Sequence, residues 1–400
     1  MKRIVSINLG NVGSTGRIMR GIAASAKSEG FKVYQAYPIS RNVFPLEEDD
    51  IVIGNLFGKV ASQRLAYLTG YNGCYSWFST KKFLKKLDEI KPDILHFHNL
   101  HNSYINLPML FNYVKKNHIR VIWTLHDCWS FTGQCPYFTL AGCDKWKTGC
   151  GGCTQLSVYP ASRVDRTQTM WKLKKMWFTG VEDMTIVTPS EWLAGLVKQS
   201  FLSEYPVKVI NNGIDLDVFK PVSSDFREKH GISSDGGVFL ILGIAFDWSV
   251  YKGKDVFIEL AKRLPDNFRI IMVGTNDRID QNLPSNVISI HKTNNIQELV
   301  EIYSAVDLLV NPTREDNFPT VNIEALSCGT PVVTFETNGS PEILDDKCGS
   351  VVPYGDIDAM EQEILRIAAV KPFSSEACIQ RAQRYRRDDK YKEYVKLYES

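Results

Sequence analysis

Residues 311–331, NPTREDNFPTVNIEALSCGTP, contain the end of an apolar strand, a polar loop, a short helix and the start of a second strand. Asp316 or Asn317 suits the N-cap of the helix, and Pro319 suits its first turn. Cys328-Gly329 closes the helix, because glycine readily adopts the left-handed conformation that follows a helix end. A strand, a loop, a helix and a strand in this order predict one unit of a parallel α/β sheet.

The first turn of this helix is a candidate anion site. The amides of Thr320 and Val321 precede the first intrahelical hydrogen bond, so they can bind a phosphate group. Glu324 lies just over one turn further along, where its carboxylate could accept two hydroxyls of a cis-diol. Acidic residues spaced like Asp316 and Glu324 recur by chance, but the whole string does not.

Short β-branched runs alternate with amphipathic helical patterns along the whole chain. Strands are predicted at residues 3–9, 32–36, 93–98, 120–125 and 185–188 in the first half, and at 207–210, 238–244, 269–273, 287–290, 307–310 and 331–335 in the second. Near-continuous apolar strands separated by helices are typical of parallel sheets covered on both faces. We therefore predict an α/β protein with two doubly wound, Rossmann-like sheets.

The length of 400 residues agrees with two or three domains. We place an N-terminal domain at residues 1–205, with a Cys-rich loop at 128–153, and a C-terminal domain at 206–373. A last helix at 374–400 either packs back against the first domain or simply ends the chain.

Charge and hydropathy exclude several classes of protein. Lys and Arg number 47 and Asp and Glu 45, a net charge of +2, so we expect no nucleic-acid partner. The longest apolar stretch, Val238–Phe246, is far shorter than the ~20 residues that span a bilayer. The basic N-terminus meets a Gly/Asn loop too soon to form a signal peptide, so we expect a cytoplasmic protein.

A glycine-rich loop, Gly10–Gly16, directly follows the first predicted strand. Its glycines, among them Gly13, let backbone amides approach an anion, and Ser14 or Thr15 can cap the following helix. The spacing is neither a dinucleotide-binding fingerprint nor a P-loop. A tight turn without a ligand is the alternative.

Polar side chains also follow three other predicted strands. Asn99 lies among histidines at the end of one strand, and His126 follows the next; a hydrogen-bonding role in the fold, or metal ligation, is the alternative for the histidines. Lys252 precedes a helix in the second half, where it can meet a diphosphate as a point charge. The alternative there is that Asp255 caps the helix and Lys252 stays solvated.

Taken together, these motifs resemble glycosyltransferase family 4, retaining enzymes of the two-domain GT-B architecture, over nearly the whole chain. The resemblance is carried by Pro312–Val333, Lys252-Gly253, Asn212–Asp215 with Phe219, Asn338–Ile343 and Pro189–Leu193. Residues 125–133, LHDCWSFTG, are similar to the branch that builds bacterial exopolysaccharide, capsule or O-antigen.

The resemblance implies transfer of a sugar from a UDP- or GDP-sugar to an oligosaccharide or lipid-linked acceptor, across a cleft between an acceptor-side and a donor-binding domain. It implies that Lys252, Thr320 and Val321 stabilise the departing diphosphate and that Glu324 holds the ribose. The catalytic residues it implies are His126, Asp316 and Lys252, and the remaining substrate-binding residues are Gly13, Ser14, Asn99 and Asn317. No catalytic metal is required in this scheme.

The chain departs from the family pattern at the donor site. Asp316 stands where Glu is usual, Asn317–Pro319 replaces Gly-Phe-Gly, and Ile244 stands where Arg is common. We therefore expect the phosphate charge to be neutralised mainly by Lys252 and backbone amides. A nucleotide-sugar epimerase of the same fold is one alternative, and a non-enzymatic bilobal sugar-binding protein, which predicts a secretory signal, is another.

Four cysteines crowd into one loop, at Cys135, Cys143, Cys150 and Cys153, with the spacing Cys-x7-Cys-x6-Cys-x2-Cys. Four thiolates form a closed structural zinc site, and the glycines between the last two allow both to turn toward one ion. We predict such a site, with two disulfides or four free thiols as the alternatives.

Two basic segments with apolar stripes, residues 80–87 and 171–178, predict peripheral contact with the inner membrane. The alternative is that the stripes pack on the sheet and the lysines are only solvated.

Overall fold

The computed structural model describes residues 1–39, 45–233 and 237–400. These residues form two compact units. One comprises Met1–Asn211 and Lys390–Ser400, and the other comprises Asn212–Asp389. Each unit has its own parallel sheet and its own buried core, so the predicted α/β fold with two doubly wound sheets is confirmed.

Seven parallel strands form the sheet of the first unit. They are β1 (Arg3–Ile7), β2 (Lys32–Pro38), β3 (Asp50–Ile53), β4 (Ile94–Phe97), β5 (Arg120–Thr124), β6 (Met184–Thr188) and β7 (Val207–Val209). Their order is β3-β2-β1-β4-β5-β6-β7. The helices that follow the strands are α1 (Gly13–Ser28), α2 (Leu56–Thr69), α3 (Trp77–Ile90), α4 (Leu107–Lys116), α5 (Thr167–Phe178) and α6 (Glu191–Lys198).

Six parallel strands form the sheet of the second unit. They are β8 (Phe239–Ile244), β9 (Phe268–Val273), β10 (Val287–Ile290), β11 (Leu308–Asn311), β12 (Val332–Phe335) and β13 (Gly349–Val352), in the order β10-β9-β8-β11-β12-β13. The helices are α7 (Phe226–Lys229), α8 (Lys254–Arg263), α9 (Asp277–Asp280), α10 (Ile296–Ala305), α11 (Thr320–Ser327), α12 (Ile357–Val370) and α13 (Ser375–Ala382).

Three strands differ from the prediction. The strand predicted at 207–210 for the second sheet is β7, which pairs with β6 at the edge of the first sheet. The unit boundary therefore follows Asn211, whereas the predicted boundary at 205 precedes this strand. The edge strands β3 and β13 were not predicted, because one begins with an acidic residue and the other with Gly-Ser, both poor strand formers.

The predicted single C-terminal helix is interrupted. α13 is followed by a 3-10 turn (Gln383–Tyr385) and then by α14 (Arg387–Glu399). The break has a clear cause, because Ile214 donates its amide to Tyr385 and accepts a bond from Arg387, which pulls the chain into an extended bridge. α14 then packs in the first unit, where Tyr394, Val395 and Tyr398 lie in the core beside β1.

The two segments predicted to contact a membrane turn most of their apolar side chains inward, although Met176 is 59% exposed. Phe83 and Leu87 of α3, like Trp177 and Phe178 of α5, are buried in the core of the first unit. That choice of contact residues is therefore wrong, because these stripes pack against the sheet. Over the described ranges 1–39, 45–233 and 237–400, none of the helices combines the length and the apolar run needed to cross a bilayer.

Each sheet has one point at which the strand order reverses. The reversal lies between β1 and β4 in the first sheet and between β8 and β11 in the second. Loops that follow the strands at such a point border the crevice in which doubly wound folds bind ligands. The predicted site residues Gly13, Asn99, Lys252 and Asp316 each lie on a loop or helix start after one of these four strands.

Candidate active-site residues

Lys252 and Asp316 form an ion pair in the second unit. Lys252 Nζ lies 2.5 Å from Asp316 Oδ2, and the two side chains are 36% and 23% exposed. Lys252 ends a 3-10 turn (Val250–Lys252) before α8, and Asp316 lies on the loop before α11. Two of the predicted catalytic residues are therefore in direct contact, at a position that a ligand can reach.

The backbone around Lys252 is fixed by its neighbours. Gly253 has a φ of +73°, and a Cβ there would lie 2.5 Å from the carbonyl oxygen of Pro312, so only glycine fits against the loop after β11. Asp255 does not cap α8 with its side chain but accepts a bidentate pair from Arg314, at 2.8 and 2.7 Å. The alternative in which Lys252 stays solvated is wrong, because Lys252 pairs with Asp316 on the loop that also carries Arg314.

The helix α11 begins without a side-chain cap. Its N-cap residue is Pro319, and the predicted capping by Asp316 or Asn317 is wrong. Asp316 is held in the ion pair, and Asn317 is buried. The amides of Thr320 and Val321 lie ahead of the first intrahelical bond, so this helix end offers donors and the positive end of a dipole to an anion.

Glu324 lies one turn into α11 and accepts a hydrogen bond from Tyr303 Oη at 2.9 Å. Tyr303 is fully buried on α10, and burial together with the charge of Glu324 raises the pKa of Tyr303 well above its ordinary value. The phenol therefore stays protonated and orients the carboxylate. Tyr303 was not predicted, because no motif marks it and only its contact in space shows the role.

Gly13 and Ser14 are the first two residues of α1, and Gly13 has a φ of +74°. The N-cap is Val12, without a side-chain hydrogen bond, so the prediction that Ser14 or Thr15 caps this helix is wrong. Thr15 Oγ1 instead accepts a bond from Asn8 Nδ2 at 3.4 Å. Ser14 is exposed and remains open to a ligand.

Asn8 joins this glycine loop to Asn99. The Asn8 side chain donates to the Gly10 carbonyl at 2.8 Å and accepts from the Asn99 amide at 3.2 Å. The predicted residues on the loops after β1 and β4 therefore belong to one hydrogen-bonded surface. Asn8 itself was not predicted, although its position directly after β1 is the signal that would have found it.

Three residues, His96, His98 and His126, form what we call the histidine cluster. His126 Nε2 lies 3.0 Å from His98 Nδ1, and His96 bonds to Tyr398 at 2.6 Å and to Thr124 at 2.8 Å. Burial lowers the pKa of His126 to about 4, although Asp127 opposes the shift, and burial lowers the pKa of His96 to about 3. The pKa of buried His98 also falls well below its usual range, so the cluster is neutral at pH 7.

Asp127 and His101 lie beside the cluster. Asp127 Oδ2 is 3.4 Å from His101 Nε2, and Tyr159 Oη is 2.9 Å from His101 Nδ1. Burial would raise the pKa of Asp127, but His101 and the amide of Trp129 outweigh it and hold the pKa below its ordinary value. Asp127 therefore remains a carboxylate, and the loop that carries Tyr159 is tied to this site.

Lys174 is fully buried on α5 and was not predicted. Its Nζ donates to the carbonyls of Trp129 at 2.6 Å and Thr132 at 3.1 Å, and lies 3.4 Å from the centre of the Trp129 ring. Burial lowers the pKa of Lys174 to about 7. The lysine thus holds the backbone that follows Asp127.

The four clustered cysteines line a single cavity in the loop before α5. Cys135 is buried and the other three, Cys143, Cys150 and Cys153, are half-buried. All four are free thiols. Burial raises the pKa of Cys135 to about 12, and the other three thiols add to the shift because they are close by.

Two family models match the chain over most of its length. The model described as Glycosyltransferase Family 4 matches residues 16–218, and the model described as Glycosyl transferases group 1 matches residues 237–369. Together with two doubly wound sheets, these matches define a glycosyltransferase of GT-B architecture. The chain belongs to glycosyltransferase family 4, as its motifs predict.

Individual relatives agree with this assignment. The putative colanic acid biosynthesis glycosyl transferase WcaC of Escherichia coli strain K12 is 29% identical over 299 residues, which cover 72% of this chain and 69% of that protein. Sucrose-phosphate synthase from Thermosynechococcus elongatus superposes with a TM-score of 0.73 at 16% identity, covering 100% of this chain and 98% of that one. Anabaena HepE in complex with UDP and glucose superposes with a TM-score of 0.70 at 15% identity, covering 100% of both chains. At these identities the two solved structures show the fold alone.

Proposed function

We propose that this protein transfers a sugar from a UDP- or GDP-linked donor to a carbohydrate acceptor, with retention of the anomeric configuration. The observation that carries the proposal is the Lys252–Asp316 ion pair beside the uncapped start of α11. A departing nucleoside diphosphate needs fixed positive charge, which the ammonium and the helix amides supply without rearrangement. The proposed scheme therefore requires no catalytic metal.

Each residue of the second unit has a distinct role in this proposal. Lys252 and the amides of Thr320 and Val321 bind the diphosphate. Asp316, which gives up its bond to the ammonium when phosphate takes its place, contacts the donor sugar together with Asn317. Glu324 accepts the ribose hydroxyls because Tyr303 holds one of its oxygens in place.

The proposed roles in the first unit concern the acceptor and the reacting sugar. His126 is neutral at pH 7, so it takes part through hydrogen bonds and not as a cation. Gly13, Ser14 and Asn99 contact substrate from the surface that Asn8 holds together.

The test is turnover by the purified full-length protein with a panel of UDP- and GDP-sugars, with and without oligosaccharide acceptors. We expect nucleoside diphosphate release that an acceptor accelerates, and a product whose anomeric configuration, determined by NMR, matches the donor. Conversion of the donor sugar without any acceptor would identify an epimerase instead. Tight sugar binding with no turnover across the panel would favour a binding protein.

The acceptor class is proposed from the relative WcaC and from the surface of the first unit. WcaC is described as a putative enzyme of colanic acid biosynthesis, and we propose that this chain likewise acts in assembly of a bacterial surface polysaccharide. Such chains are built on lipid carriers, so we propose a lipid-linked oligosaccharide acceptor and a place on the cytoplasmic face of the inner membrane.

An exposed apolar surface on α2 and α3 supports the membrane contact. Phe57, Val60 and Leu68 on α2 are 86%, 46% and 48% exposed, and Trp77 and Phe78 at the start of α3 are 61% and 89% exposed. The two helices adjoin, because Ser76 donates a 2.8 Å hydrogen bond to Ser62. Aromatic side chains on a face of this kind bind the boundary between headgroups and acyl chains.

The charge around this surface fits an anionic membrane. Residues 51–87 contain six basic residues and no acidic residue. These are Lys59, Arg64, Lys81, Lys82, Lys85 and Lys86, of which Lys86 pairs with Glu89 just beyond this stretch. Each cation near an anionic surface contributes about 1 kcal/mol, so the apolar anchors and the cations act together.

Vesicle co-sedimentation tests this surface. We expect binding to phosphatidylglycerol vesicles at low salt, weaker binding at high salt, and little binding to phosphatidylcholine. A Phe57→Ser/Phe78→Ser variant should lose at least about tenfold in affinity, since each phenylalanine buries more than about 150 Å². Phe246→Ser, which removes an equally exposed phenylalanine from the second unit, serves as the control. Equal binding by all three proteins would refute the assignment.

A further inference from the structure

The chain between Thr132 and Thr167 has almost no regular structure. Its only helical element is a 3-10 turn, Lys145–Lys147. Loops of this length inside a compact domain are uncommon unless something other than backbone pairing orders them. Yet the loop is tied to its surroundings, because Cys128 donates its amide to the carbonyl of Pro136 at 2.8 Å.

This loop contains four of the nine cysteines, and no other part of the chain has a comparable group. They converge on one cavity although their positions span residues 135–153. The remaining five cysteines, Cys74, Cys128, Cys328, Cys348 and Cys378, lie elsewhere and do not line it.

Within this loop two backbone amides donate to cysteine sulfur atoms, as the Asp345 amide does to Cys348 Sγ outside it. The Gly133 amide lies 3.1 Å from Cys150 Sγ, and the Gln155 amide lies 3.4 Å from Cys153 Sγ. A neutral thiol is a weak acceptor, whereas a metal-bound thiolate is a good one. The second bond runs from residue i+2 back to the sulfur of residue i, so it holds the thiol toward the turn.

The backbone from Gly149 to Cys153 follows a path that only glycine adopts easily at three of its positions. Gly149, Gly151 and Gly152 have φ values of +142°, +147° and +55°. Lys145 donates to the carbonyls of Gly151 and Gly152 at 3.1 and 3.2 Å, which fixes the turn from outside. The turn therefore presents both thiols from a backbone that other residues would strain.

The charge balance also fits a bound cation with four thiolates. Such a site carries a net charge of −2, and a buried negative group needs a nearby positive one. Lys174 is fully buried and lies close enough to Cys150 and Cys135 for their charges to act on it. In the part of the chain that the structure describes, its ammonium bonds the carbonyl oxygens of Trp129 and Thr132, and the charge of Asp127 acts on it together with those of the two cysteines.

We propose that Cys135, Cys143, Cys150 and Cys153 bind one zinc ion in a closed, structural site. Zinc displaces four thiol protons to solvent, and four Zn–S bonds of about 2.3 Å form. In the described residues no three of the sulfur atoms lie within 4.8 Å of one another, so binding draws the loop inward about the glycines. The site goes beyond the transfer reaction and does not depend on it.

The ion would stabilise the part of the first unit that carries Asp127 and His101. Thr132 Oγ1 donates to the carbonyl of Cys135 at 2.6 Å, and Tyr159, further along the same loop, contacts His101. Because Tyr159 contacts His101, which lies 3.4 Å from Asp127, zinc would restrain these positions through the loop without touching substrate.

Zinc content and a cobalt spectrum test the site on the full-length protein purified without chelator. We expect about one zinc per chain, and on replacement by Co²⁺ the intense sulfur-to-cobalt charge transfer of a four-thiolate tetrahedral site. Cys150→Ser and Cys153→Ser should each lose the metal. Should those variants fail to fold, the wild-type spectrum and the appearance of four reactive thiols on chelation still decide the question.

Two control variants separate this site from other metal binding. Cys74→Ser removes a half-buried thiol outside the cluster. His291→Ala disrupts the group Asp277, Asp280 and His291, whose ligand atoms do lie within 4.8 Å of one another. Both should keep one zinc per chain. Metal-free wild-type protein, disulfides at the four positions, or loss of zinc in His291→Ala but not in Cys150→Ser would overturn the proposal.

Discussion

Replacing Lys252 by Ala removes the cation that is proposed to meet the donor diphosphate. The pair with Asp316 is a third exposed on the lysine side, and such pairs contribute about 0–1 kcal/mol to folding. The melting temperature should therefore change little. The transition state is different, because a nucleoside diphosphate gains negative charge as the sugar departs, and the ammonium is positioned before the reaction begins.

The expected loss of kcat/KM follows from the removal of a preorganised charge and from the partial exposure of that charge to solvent. Removing one preorganised donor of charge costs about 2.7–4 kcal/mol in a dry site, and partial exposure at Lys252 reduces this to about 2 kcal/mol. At 1.36 kcal/mol per factor of ten, kcat/KM should fall about 30-fold. The assay is initial-rate release of nucleoside diphosphate, with thermal unfolding measured on the same samples.

The matched control is Lys262→Ala, which removes an exposed lysine from the last turn of α8. It should keep kcat/KM within about twofold, since it lies at the other end of the helix. A Lys252→Ala protein with wild-type turnover, or an equal loss in both variants, would refute the role of Lys252.

Three further outcomes are expected. Tyr303→Phe removes a hydrogen bond to the Glu324 carboxylate, which should lower the free energy of unfolding by about 1.5 kcal/mol and raise KM for the donor more than it changes kcat; an unchanged KM would contradict the orienting role. Gly253→Ala should destabilise the protein more than Gly355→Ala in urea unfolding, because both have φ near +74° but only the former places a Cβ 2.5 Å from another backbone atom. The histidine cluster should make stability fall below pH ~6.5, since burial lowers the folded pKa of His96 to about 3 and that of His126 to about 4, and also lowers the pKa of His98, while unfolded histidines bind protons at pH ~6.5. Urea unfolding between pH 7 and 4.5 should show a slope approaching about 2.7 kcal/mol per pH unit from His96 and His126 alone, and a flat profile would contradict the lowered pKa values.

The fold could be predicted largely from the alternation of apolar strands and amphipathic helices. This apolar pattern fails to predict a strand correctly where the strand is not buried, because an exposed strand needs no apolar run. β7 has only half-exposed and exposed residues, so nothing in its sequence assigns it to one sheet or the other. The capping predictions failed for a related reason, because Asp316 had two possible partners and the ion pair with Lys252 prevailed over the helix amides.

Candidate site residues could be predicted where their position after a strand places them at the site. They could not be predicted where only a contact between distant parts of the chain does so. Residues after β1, β4, β8 and β11 could be chosen because parallel strands end at one edge of a sheet. Contacts such as Tyr303 with Glu324 join different helices, and no spacing in the sequence implies them.

Lys174 combines both cases, because its burial follows from its position along the chain and its partners follow from contacts in space. In α5 the buried residues Met170, Trp171, Trp177 and Phe178 repeat at helical spacing, and Lys174 lies on the same stripe. A lysine on an apolar stripe must bond its ammonium, because an unpaired buried charge is too costly to tolerate. The periodicity would therefore have indicated a bonded, buried lysine, and the expectation that the lysines of residues 171–178 lie at a membrane or in solvent is wrong for Lys174. Its partners, the carbonyls of Trp129 and Thr132, follow only from the path of the loop after β5, which no spacing in the sequence implies.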